Sequence, residues 1–248
     1  MLYFGAYKVN DYKNISSIPD VLTHETTKNN GIVFVVSDTL FTNNNNEVSQ
    51  DFFASAKSFI EKLGRQVRVH NNVEAIVLNG NMFRNMSSKN NTQIFDSTMW
   101  SCSFLRAIYM TAGTVHCGEK PVPIYYVRGN EDCYMSIPNL TSDLRGAIKI
   151  CNAVIIGDAL FIHGHNNLPF KEQTESDIHA NNIESRKLQE LEAESIFEQT
   201  GFNVVMSNSI LDVYAGKHFI STGCFEKTRG TAINLSDFSI SMLTHGVG

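Results

Sequence analysis

Short apolar runs that end abruptly in polar clusters recur along the chain. Ile32 to Val36 (IVFVV) is a β-branched and aromatic run of the kind that fills a strand buried on both faces, and it stops at Ser37-Asp38. After Asn43 to Asn46, apolar Phe52, Phe53, Ala56, Phe59, Ile60, Leu63 and Val67 recur at the three-and-four spacing of a helix with one buried stripe. The same order returns with a strand at Val73 to Leu78, closed by Asn79-Gly80-Asn81, and a helix from about Thr92 to Thr111. A third strand, Pro123 to Val127, ends at Arg128-Gly129-Asn130, and a short helical stretch is expected near Leu140 to Ile148. Ala153 to Ile156 and Ala159 to Ile162 flank Gly157-Asp158, the dipeptide of a tight hairpin. Asp177 to Gln199 interleaves Ile178, Leu188, Leu191, Ile196 and Phe197 with acids and bases, as an exposed amphipathic helix does, and Gly201 ends it. The remaining strands are expected at Asn203 to Met206, His218 to Ser221, Thr231 to Leu235 and Phe238 to Leu243.

Strands alternating with helices early, followed by strands without helices, predict an α/β chain with a mixed sheet or two stacked sheets and helices outside. Residues 1–30 are polar and irregular and read as an arm or edge segment, ahead of one domain spanning 31–248. No internal repeat or linker breaks that domain.

With 42% hydrophobic residues, 18% charged residues and a net charge of −5 over 248 residues, the composition is that of an ordinary globular domain, long enough to fold without staples. The mild acidity and the lack of a Lys/Arg run give no nucleic-acid footprint. Cysteines at 102, 117, 133, 151 and 224 are odd in number and irregular in spacing, which predicts reduced, mostly buried thiols and neither a disulfide framework nor a Cys-based zinc site. The first residues have neither the basic start nor the apolar core of a signal peptide, and no run is long enough to cross a bilayer, so a cytoplasmic location is expected. An Asn-rich, Pro-poor composition suits a viral, phage or AT-rich genome, in which case the compartment is the host cytoplasm.

Five strands stop at polar clusters: Ser37-Asp38, Gly80-Asn81, Gly129-Asn130-Glu131-Asp132, His163-Gly164-His165 and Ser207-Asn208-Ser209. Ligands bind at the carboxyl ends of strands in such sheets, because side chains from separate elements converge there. Singly each cluster reads as a turn. In order, and with the phrases IVFVVSDTLF, AIVLNGNMF, PIYYVRGNED, ALFIHGH and FISTGCFEK, the stretch from Gly31 to Leu243 resembles the calcineurin-like metallophosphoesterases. The resemblance implies an αββα sandwich of two stacked mixed sheets flanked by helices. In active members it implies two divalent cations at the strand ends, which position a phosphate ester and supply a metal-bound hydroxide.

Carried over position by position, the pattern survives in part. Asp38 matches the first Asp, but Leu40 stands where a His is expected. Asn81 occupies the place of the bridging Asp. Asn130 matches the Asn ligand, Glu131 replaces the catalytic His, and Asp132 matches the acid that holds that His. His163 matches the His of the fourth motif, while Asn208 and Ile210 fall on the two His positions of the fifth. Leucine cannot ligate a metal, and a neutral amide at Asn81 removes charge compensation where two dications repel most. No cofactor is therefore expected, or at most one weakly held Mn²⁺ or Mg²⁺ on Asp38, Asn81, Asn130 and His163. Arg128, Asp132 and His165 are candidates for lining the same hollow. His116, Cys117, His218 and Cys224 lack metal-ligand spacing and read as structural.

The expected function is that of a pseudoenzyme, a binding or structural module whose partner is another protein. The alternatives are an active single-metal phosphoesterase with Glu131 as its acid, and a binder of phosphate-bearing ligands that does not cleave them. Helix 177–199 and the first thirty residues are the expected contact surfaces.

Overall fold

The computed structural model describes residues 2–4, 7–9, 12–26, 30–39, 50–82, 102–113, 116–117, 120–129, 140–163, 175–207, 213–223 and 230–243. Two short strands, β1 (Leu2–Phe4) and β2 (Tyr7–Val9), pair with each other, and β3 (Val21–His24) follows. Next come β4 (Ile32–Val36), α1 (Gln50–Val69), β5 (Val73–Asn79), a helix α2 (102–108) and a small pair β6 (His116–Cys117) and β7 (Lys120–Pro121). Then follow β8 (Ile124–Val127), β9 (Ile148–Cys151), β10 (Ala153–Ile156), β11 (Ala159–His163), α3 (Glu175–Thr200) and β12 (Asn203–Ser207). The chain closes with β13 (Tyr214–Ala215), β14 (Phe219–Ser221), β15 (Thr231–Asn234) and β16 (Ser239–Met242).

Two six-stranded mixed sheets carry the architecture. Sheet I has the order β16-β15-β4-β5-β8-β9, with β4, β5, β8 and β9 parallel. Sheet II has the order β13-β14-β12-β11-β10-β3, with β11, β12 and β14 parallel and β10 returning antiparallel through the Gly157-Asp158 turn. Three apolar layers follow. One packs sheet I against α1 and α2 through Phe34, Leu63, Val67, Ile76 and Leu105. A second lies between the sheets, with Val35, Val77 and Tyr125 meeting Val154, Phe161 and Val205. The third packs α3 and the N-terminal segment on sheet II through Tyr12, Ile15, Ala193, Ile196 and Val204. The α/β sandwich of two stacked sheets with helices outside is thus the fold that the sequence predicts. Burial on both faces explains why the strand sequences are continuous apolar runs rather than alternating ones. No helix among the described residues is long and apolar enough to cross a membrane.

Three segments differ from the sequence reading. Residues 140–147 form turns, not a helix: Leu144 and Arg145 both donate to the Thr141 carbonyl, then Gly146 at φ 90° reverses the chain into β9. On α3, Leu188 and Leu191 are exposed while Gln189, Ala193 and Ile196 are buried, so the buried stripe is shifted from the leucines. Helix α2 gives way to a π turn at Tyr109–Gly113, and the expected helix residues 92–101 lie outside the described residues.

The N-terminal segment is tied to both sheets. Val21 to His24 pairs parallel to β10 as the edge of sheet II. The Tyr12 hydroxyl bonds Glu192 on α3, and Asn152 Nδ2 donates to the Pro19 carbonyl at 3.1 Å. His24 reaches into the inter-sheet space, with Nδ1 3.0 Å from the Tyr125 hydroxyl and Nε2 3.4 Å from Glu74 Oε2.

Candidate functional site

Inward-facing positions on β4, β5, β11, β12 and β14 are apolar until the end of the strand, where each becomes polar. Val33 and Val35 lead to Ser37, Ala75 and Val77 to Asn79, Phe161 to His163, Val205 to Ser207, and Ile220 to Thr222. The period-two alternation of strands brings these side chains to one end of the inter-sheet space. They bond across it. Ser37 Oγ lies 2.8 Å from Thr222 Oγ1, Asn79 Nδ2 donates to the Ile162 carbonyl at 3.0 Å, and Ser207 Oγ donates to the Asn79 carbonyl.

Asp38 and Asn81 sit just above this layer. Both have left-handed backbones, φ 48° and 46°, and Gly80 between the strand and Asn81 is at φ 78°. Asp and Asn tolerate this region better than other side chains, which is why short polar residues can close both strands. The Asp38 N–H donates to the Gly80 carbonyl at 3.1 Å, so the two loops reverse side by side. A methyl on Gly129 would lie 2.5 Å from the Asn81 nitrogen, so the end of β8 passes directly against Asn81.

Three of the expected site residues therefore meet. Asn81 Nδ2 donates to Asp38 Oδ1 at 3.0 Å, and His163 Nε2 lies 3.2 Å from the same oxygen. All three are buried: Asp38 is 2%, Asn81 4% and His163 4% exposed, which places the carboxylate out of reach of bulk solvent. Asp38 Oδ2 is buried with no hydrogen-bond partner among the described residues. The space below is dry enough to push the Tyr125 hydroxyl up to about 12, chiefly by burial, and the Cys151 thiol up to about 12 for the same reason. Arg128 Nη1 donates to Asp20 Oδ2 at 2.9 Å and to Asn152 Oδ1 at 2.8 Å, fixing the N-terminal segment. His218 stacks on Phe197 at 3.5 Å and bonds Asn203, which is a structural use of that ring. Leu40, Asn130, Glu131, Asp132, His165, Asn208 and Ile210 lie outside the described residues.

The donor set decides what the cluster can hold. One carboxylate, one imidazole and one amide converge, the amide presents N–H to the carboxylate, and its oxygen is turned toward Gly129. Two dications a few ångströms apart need anionic ligands between them. The described donors supply a single carboxylate, and no group of three or more His, Cys, Asp or Glu that could hold a metal occurs among the described residues. Asn79 and Thr222 are absent from the candidate site residues, and Ser37 enters only as the start of the first strand-end cluster. Extending the inward register of each strand by one step is the signal that finds them.

No family model and no curated protein matches the chain. Among solved structures, it is similar to a conserved uncharacterized protein of Streptococcus pneumoniae described as a "predicted phosphoesterase". That likeness has 14% identity and a TM-score of 0.40, and covers 89% of this chain and 94% of the other.

Proposed function

We propose that the chain is a catalytically inactive, degenerate relative of the calcineurin-like metallophosphoesterases that works as a binding or structural module for another protein. The observation that carries this reading is Asp38 Oδ1, which takes the Asn81 amide at 3.0 Å and faces His163 Nε2 at 3.2 Å. A carboxylate engaged by side-chain N–H groups is a poor start for a cation pair, and the residue in the bridging place carries no charge. The sandwich does not need metals to persist, because its three apolar layers are independent of the strand-end donors. The expected contact surfaces are helix 177–199, where Leu188 and Leu191 are 55% and 63% exposed, and the first thirty residues.

The test is hydrolysis. Purified protein supplied with Mn²⁺, Fe²⁺ or Zn²⁺ and bis(p-nitrophenyl) phosphate is expected to release no more nitrophenol than buffer does. Metal-dependent turnover that disappears in Asp38→Ala overturns the proposal.

One observation favours a single-cation phosphoesterase instead: Asp38 Oδ2 is buried and without a hydrogen-bond partner among the described residues, as a ligand oxygen awaiting a cation would be. In that case Asp38, Asn130 and His163, with Asn81 as a weak fourth, hold one Mn²⁺ or Mg²⁺, and Glu131 supplies the proton to the leaving group. Turnover is then lost in both Asp38→Ala and His163→Ala.

A further inference from the structure

Four side-chain bonds at the strand ends run from sheet I to sheet II. Asp38, past the end of β4, meets His163 at the end of β11. Asn79, the last residue of β5, donates to the Ile162 carbonyl and accepts from Ser207 at the end of β12. Ser37 meets Thr222, past the end of β14. Ser37, Asp38, Asn79, His163, Ser207 and Thr222 are each no more than 4% exposed. Within the cluster Asp38 Oδ2 and Asn79 Oδ1 have no hydrogen-bond partner among the described residues, so the bonds that are made carry its geometry, and a group that loses its partner costs its full desolvation.

We infer that this cluster is a metal-independent clasp: Asp38 and His163, backed by the Ser37–Thr222 and Asn79 bonds, join the two sheets at the end where a cation pair would otherwise stand between them. This rests on the reading that no cation pair is held there, and it goes beyond that reading by giving the surviving residues a mechanical task. The sign of a mutational effect separates the two situations. Ligand sites emptied of metal are crowded with acceptors that repel one another, so neutralising one relieves the site and stabilises the protein. In a clasp, removing one partner strands the other in a dry interior and destabilises it.

The experiment is a double-mutant cycle on the full chain: wild type, Asp38→Asn, His163→Gln and the double variant, unfolded in urea with EDTA and again with Mn²⁺. Each single variant is expected to raise the unfolding constant by roughly 10- to 100-fold, the range of a charge-assisted hydrogen bond. The double variant is expected to fall short of the product of the singles by about 10-fold or more, identically in EDTA and Mn²⁺. Single variants that are neutral or stabilised, or a double variant equal to the product, overturn the clasp. Saturable stabilisation of wild type by Mn²⁺ that vanishes in Asp38→Asn refutes instead the absence of a cation, whatever the coupling in EDTA. If either single variant fails to fold, the cycle of Ser37→Ala and Thr222→Val carries the same test: coupling supports the clasp, and strict additivity overturns it.

Discussion

Gly80→Ala tests the geometry of the site through one methyl group. Gly80 is at φ 78°, a region that costs an alanine about 1–2 kcal/mol. The added Cβ would also lie 2.5 Å from His163 Cγ and 2.7 Å from its Cβ, at the root of the ring, where rotation about the side chain gives no escape. The ring must move with its backbone, and its approach to Asp38 at 3.2 Å is lost with it. Loss of a hydrogen bond to a charged group adds about 1.5–3 kcal/mol. The sum, about 2.5–5 kcal/mol, is a large fraction of the stability of a domain, typically about 5–15 kcal/mol. Gly201 supplies the matched control, since it has the same φ of 78° and nothing lies within 4 Å of the position a methyl would take there. Gly201→Ala is expected to show the backbone cost alone. Urea unfolding of the three proteins, followed by far-UV circular dichroism with equal slopes, gives both differences. A Gly80→Ala loss within about 0.5 kcal/mol of the Gly201→Ala loss, the usual scatter of independent effects, refutes the contact between Gly80 and His163.

Gln189→Met is expected to stabilise the protein by about 1 kcal/mol in the same assay, because both side-chain polar atoms of Gln189 are buried with no hydrogen-bond partner among the described residues; a loss of stability shows that the amide is satisfied. Cys151, which is fully enclosed and whose thiol is pushed up to about 12 by burial, is expected to resist iodoacetamide at pH 8 in the native state and to react in urea, as read by peptide mapping. Modification at the rate of a free thiol would contradict its burial. Arg106 holds Asp143 through two hydrogen bonds at 2.6 and 3.0 Å and keeps that carboxyl well below its ordinary 3.8. A folded value below the unfolded one means that the contribution is present above the unfolded value and is lost as the pH falls toward the folded one. Arg106→Ala is therefore expected to return the Asp143 carboxyl toward the ordinary range in a ¹³C NMR titration, and an unmoved titration argues against the pair.

The elements legible in the sequence are those whose signal is local. IVFVV, VEAIVL and the Gly157-Asp158 hairpin are apolar runs cut by turn residues, and α1 shows its buried Phe59, Leu63 and Val67 at helical spacing. The edge strand β3 is not legible that way: its partner, β10, lies in the second half of the chain, and its own residues are at most half-buried. Strand β9 was hidden by Leu140 and Leu144, whose spacing imitates a helix while Gly146 breaks it. On α3 the leucines advertise a stripe that the fold leaves exposed, because Ala193 and Ile196 fit closer to sheet II. Motif order brought Asp38, Asn81 and His163 to one place, yet it said nothing of how they bond, since the turned amide of Asn81 depends on Gly129 passing beside it. The bonds of Arg128 to Asp20 and Asn152 were not legible beside its motif, because Asp20 belongs to the N-terminal segment, far earlier in the chain.

Metal content tests the central claim most directly. After incubation with excess Mn²⁺ or Zn²⁺ and desalting, inductively coupled plasma mass spectrometry is expected to find only traces of metal per chain, unchanged in the Asp38→Asn variant. Two equivalents retained by the native chain and lost by that variant would contradict the account.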